Sequence, residues 1–110
     1  MNRTEYLEFH KRFCEKMFEI SKQKNADYSG QSDNDDPFSN FRIVEKIGIC
    51  AAEIGFLTRI SDKLARIATF CKKGELLVKD ESVTDTLQDC ANYLILLAGF
   101  LEDKKTKELC

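Results

Sequence analysis

Arg59, Asp62 and Arg66 fall at positions i, i+3 and i+7, with Lys63 beside them. On a helix that spacing gathers them on one face. Guanidinium groups are planar forks that match phosphate oxygens two at a time, and a neighbouring carboxylate can hold such a fork in position. The chemistry indicated is capture of a phosphate-bearing ligand. The competing reading is an exposed, self-paired stripe worth a few tenths of a kcal/mol per pair.

A second set lies further along the chain. Asp85, Asp89 and Asn92 stand at i, i+4 and i+7, and the same face continues as Leu96, Gly99 and Phe100. A carboxylate pair that leads into apolar residues is expected to be sheltered. Asp85 follows Ser82 by three residues and could serve only as its capping partner. Asp89 could pair with Arg59 or Arg66. Alternatively Asp62, Glu81, Asp85 and Asp89 could hold Mg²⁺, which favours carboxylates and completes its shell with water and substrate phosphates. No residue is assigned as catalytic, and no glycine-rich phosphate loop is present.

These residues sit in a chain of 110 residues with net charge −2, 43% hydrophobic and 33% charged residues. That is the size of one domain with a real core. Charges of both signs are interspersed, which argues against a nucleic-acid polymer as partner. No stretch has the length and apolarity of a membrane span or the pattern of a signal peptide, so neither a membrane partner nor a leader is expected. Five cysteines, an odd number with no CxxC spacing, suit neither a zinc site nor a disulfide framework and point to reducing cytoplasm.

The elements that must position the charged stripes are helices. Asn2 with Glu5 forms a capping-box pattern, and Tyr6, Phe9, Phe13, Met17 and Ile20 give one apolar face to a helix from Thr4 to Gln23. Residues 24–40 are dense in turn formers and hold the single proline, which predicts a long polar loop. A short helix is predicted from Phe41 to Ile47. A third runs from Cys50 to Lys73, stops at Gly74, and has Leu57, Ile60, Leu64, Ile67 and Cys71 toward the core. The last spans Ser82 to Lys104, with Val83, Leu87, Cys90, Ala91, Leu94, Ala98 and Leu101 inward. Its second half is apolar all round, which predicts burial on several sides and hence self-association. The expected fold class is all-α: a small helical bundle of three long helices and one short helix, oligomeric.

The order of these pieces resembles the phage-associated "nucleotide modification associated domain 1" family, a domain of unknown function. The resemblance rests on Lys24-Asn25-Ala26-Asp27-Tyr28, Asp36-Pro37-Phe38-Ser39-Asn40-Phe41, Arg59 through Arg66, and Asp80-Glu81-Ser82 through Asp85, Asp89, Asn92 and Tyr93. It covers roughly residues 20–103. It implies a small helical protein of bacteriophages that works on or with nucleotides, in the cytoplasm of an infected host. The chain is also distantly similar to the all-α nucleoside triphosphate pyrophosphatases. It departs from them in lacking a paired-glutamate motif, since Glu53 and Asp62 are nine residues apart.

The leading expectation is a protein that binds a nucleotide or cyclic nucleotide and keeps it, sequestering a signal of antiphage defence without a cofactor. Arg59, Lys63 and Arg66 would grip phosphates, and Asp62 and Asp89 would orient those cations. Lys24, Asn25, Asp27, Tyr28 and Asn40 would contact the ligand from the loop, with Asn92 also in the site. The second expectation is an Mg²⁺-dependent (d)NTP pyrophosphohydrolase using the four acids named above. The third is a structural or protein-binding helical module.

Overall fold

In a computed structural model the chain is all-α, with helices α1 (Arg3–Ser29), α2 (Ser39–Lys46), α3 (Ala52–Lys73) and α4 (Val83–Glu108). The structure describes residues 1–30, 35–74 and 82–108, with only the backbone at positions 28 and 29. Among the described residues there is no strand, and no helix is long and apolar enough to cross a membrane. Contacts divide the chain into two units, residues 1–37 and 38–110.

The first unit is built on α1. The Asn2 side chain accepts from the Glu5 N–H at 2.9 Å, and the Glu5 carboxylate accepts from the Asn2 N–H at 3.3 Å. Two helix-end donors are thereby satisfied reciprocally. α1 runs past the expected stop at Gln23 and takes in Lys24 through Ser29. Nothing in Lys24-Asn25-Ala26-Asp27 forbids helical backbone, and the first residue that does so is Gly30, with φ 113°. The first part of the predicted 24–40 loop is therefore helix.

The second unit packs α2, α3 and α4 around Phe38, Phe41, Ala52, Phe56 and Phe100. Phe56 has no exposed surface. Its ring stacks on Phe41 with centroids 4.0 Å apart and planes at 13°, and lies 5.5 Å from the Phe100 ring. α2 approaches α3 at Gly55, where an added Cβ would stand 2.9 Å from Val44 Cγ2. The Glu45 carboxylate of α2 accepts from the Ala52 N–H at 3.3 Å, satisfying a donor at the start of α3. Gly74, at φ 79°, ends α3 where the sequence places the stop. Ser82 Oγ accepts from the Asp85 N–H at 3.1 Å at the start of α4.

The core faces keep Ile60 and Cys90 as expected and otherwise differ. On α3 the buried residues are Ala52, Phe56 and Ile60, whereas Leu57, Leu64 and Cys71 are exposed and Ile67 is half-buried. On α4 the buried residues are Thr86, Gln88, Cys90 and Phe100, whereas Leu87, Leu94, Ala98 and Leu101 are exposed. The physical reason is the aromatic stack. Phe41, Phe56 and Phe100 bury more area per residue than any leucine, and rings in contact turn their own sides of α3 and α4 inward.

Candidate functional site

The four-residue spacing that buries Ala52, Phe56 and Ile60 carries Arg59, Asp62, Lys63 and Arg66 to another side of α3. There they line a cleft of about 300 Å³ closed on one side by Tyr93 of α4. Among the described residues, three cations and Asp62 line this space and Asp89 pairs with Lys63, which leaves more positive than negative charge there. The volume is at the lower end for small-molecule sites.

Lys63 and Arg59 are held differently. The Lys63 ammonium lies 3.3 Å from an Asp89 oxygen, joining α3 to α4. Both side chains are largely sheltered, with 20% and 25% of their surface exposed. Arg59 lies over the ring of Phe41, 5.1 Å from its centroid. A guanidinium facing a ring is attracted by the ring's negative face, while its N–H edges stay free to donate. Phe41 is fixed in turn by Phe56 beneath it and by Tyr93, whose ring meets it edge-on at 6.1 Å and 85°. Two walls of the cleft thus stand on one aromatic stack.

Among the described residues, the ion pair in this cleft joins Lys63 and Asp89, and Asp62 makes none, so its expected role of orienting the arginines is not seen. Asp85 is exposed at the start of α4, where its backbone is capped by Ser82, and it does not line the cleft. Glu81 lies outside the described residues. Among those described, no three His, Cys, Asp or Glu side chains are grouped to hold a metal ion. Of the expected set Asp62, Glu81, Asp85 and Asp89, the three described members are not grouped as a ligand cluster.

Asn92 shares a face of α4 with Asp89. Its side-chain nitrogen is buried and has no hydrogen-bond partner. Buried donors are seldom left without one, and an exception calls for a water, an ion or a ligand group.

The residues expected on a loop are on helices. Lys24, Asn25 and Asp27 belong to the last turns of α1, and half-buried Asn40 to the first turn of α2. The Tyr28 side chain lies outside the described residues. The Asn25 amide donates to the Pro37 carbonyl at 2.9 Å, tying the end of α1 to the segment that follows it.

Two residues of the cleft were missing from the sequence-derived set, Tyr93 and Phe41. Tyr93 follows Asp89 by four residues, a spacing that places both on one side of a helix. Phe41 comes from another helix, and no local spacing announces it.

The chain matches no family model, no curated protein and no solved structure. The reading of its function therefore stands on the cleft.

Proposed function

We propose that the protein binds a nucleotide through phosphate contacts with Arg59, Lys63 and Arg66, and retains it intact. The observation that carries this is the cleft of α3, where among the described residues Arg59, Lys63 and Arg66 stand against Asp62 and Asp89, with an aromatic side chain at the wall. Arg59 and Arg66 lie two helical turns apart, which suits phosphate oxygens spread along a ligand better than one small anion. The reading continues with a nucleotide signal of antiphage defence in an infected bacterium as the ligand, and with self-association of the protein. Those two parts rest on the family resemblance and on the apolar surface left on α4.

The test is a nucleotide panel, linear and cyclic, incubated with the purified protein with and without Mg²⁺. Retention of ligand through gel filtration, with intact ligand recovered after denaturation, is the expected result. Arg59→Ala and Arg66→Ala should each weaken retention by about 10–100-fold, the loss of a hydrogen bond to a charged group. Metal-dependent release of pyrophosphate would replace this reading with the pyrophosphohydrolase. Retention unchanged in both variants would leave the cleft without a role.

A further inference from the structure

α4 carries two apolar stripes, and the bundle covers one. The covered stripe holds Cys90 and Phe100, with Tyr93 and Leu97 packed partly against the core. The other consists of Leu87, Ala91, Leu94, Ala98 and Leu101, at spacings of four, three, four and three residues. Its leucines are 43%, 51% and 47% exposed, and Ile95 on its flank is 56% exposed.

A sustained four-three alternation is the seam of a two-helix coil, narrower than the stripe that a globular core requires. The alternation of leucine with alanine narrows the choice of partner. Helices approach more closely where small residues meet, and a leucine needs a hollow to enter. A second copy of the same stripe, run antiparallel, supplies both. Leu94 of one copy then faces Ala98 of the other, and Leu101 faces Ala91, each pairing occurring twice by symmetry.

The charges at the helix ends favour the same direction. Asp85 lies in the first turn of α4, and Lys105 and Lys107 lie in its last turn beside Glu108, with Lys107 paired to Asp103. An antiparallel pair sets Asp85 of each helix toward the last-turn lysines of the other, whereas a parallel pair would bring like ends together.

We propose that the Leu87–Leu101 stripe of α4 seats α4 of a second copy of this chain, antiparallel, about a two-fold axis between Leu94 and Ala98. This deepens the self-association part of the preceding reading and does not depend on the nucleotide.

The experiment uses the full chain in sedimentation, with helix content followed by circular dichroism. The wild-type protein should sediment as a two-copy or larger species. Leu94→Glu and Ala98→Lys should each lose that association without losing helix content, because both positions are exposed within one copy. Mixing the two variants should restore association, since the introduced carboxylate at position 94 of one copy then faces the introduced ammonium at position 98 of the other. A monomeric wild type would overturn both self-association and the seam. A multimeric wild type whose mass survives Leu94→Glu would overturn the seam alone. Variants that dissociate but do not recover on mixing would also overturn it.

Discussion

Two clefts of the α2–α4 unit have nearly the same size and opposite electrostatic character. One, of about 300 Å³, is lined by Arg59, Asp62, Lys63, Arg66 and Tyr93. The other, of about 260 Å³, is bordered by Arg42, Lys104 and Lys107, but also by Glu45, Glu53, Asp103 and Glu108. In the second the charges answer one another: Arg42 lies 3.2 Å from Asp103, Lys107 2.9 Å from Asp103, and Lys104 3.6 Å from Glu53. Both clefts set an arginine against a phenylalanine ring, Arg59 on Phe41 at 5.1 Å and Arg42 on Phe100 at 5.0 Å. An arginine on an aromatic ring is thus not by itself a sign of ligand binding. What separates the regions, among the described residues, is the carboxylate supply: four carboxylates against three cations in one, and Asp62 with Asp89 against three cations in the other.

The strongest way to break the comparison is to remove what the two clefts share. Phe56 touches both Phe41 and Phe100, and Phe56→Ala should cost about 3–5 kcal/mol in chemical denaturation. Next in size is the contrast between the arginines. Arg66→Ala should weaken nucleotide retention by about 10–100-fold, a change read by equilibrium dialysis. Arg42→Ala should leave retention unchanged and lower stability by about 1–2 kcal/mol, having lost a half-buried ion pair and ring contacts. Retention that falls equally in both variants would erase the distinction between the clefts.

Asp89→Asn sharpens it further. Loss of the carboxylate frees Lys63 and raises the positive charge of the cleft, so anion binding should become more dependent on salt. Stability should fall by about 1–2 kcal/mol, between the values for exposed and buried pairs. The smallest effect belongs to the balanced cleft. Lys107→Ala removes an exposed pair and should shift stability by no more than about 0.5 kcal/mol, with ligand retention unaltered.

Helix order and the end signals were legible in the sequence, because they depend on neighbours a few residues apart. Asn2 with Glu5, Ser82 with Asp85, and Gly74 act where their spacing places them. The overrun of α1 to Ser29 was not, since turn-forming residues also tolerate helix until a residue such as Gly30 leaves it. Periodicity also located the apolar stripes of α3 and α4 but not which stripe turns inward. That choice is made by rings from three helices meeting, and it sends Leu57, Leu64, Leu87 and Leu94 outward. In the candidate site, the shared side of Arg59, Asp62, Lys63 and Arg66 follows from spacing alone. The Lys63–Asp89 pair and the seat of Arg59 on Phe41 do not, because each joins two helices.

Position 55 has no side chain, and this reaches beyond the local packing of α2 on α3. Val44, which any added carbon would strike, rides on the same short helix as Phe41, the platform beneath Arg59. Displacing Val44 would shift that helix, so a methyl group introduced one turn before Arg59 would disturb the ring on which that arginine rests. Under the nucleotide-binding proposal, grip on the ligand would then depend on a position outside the cleft lining.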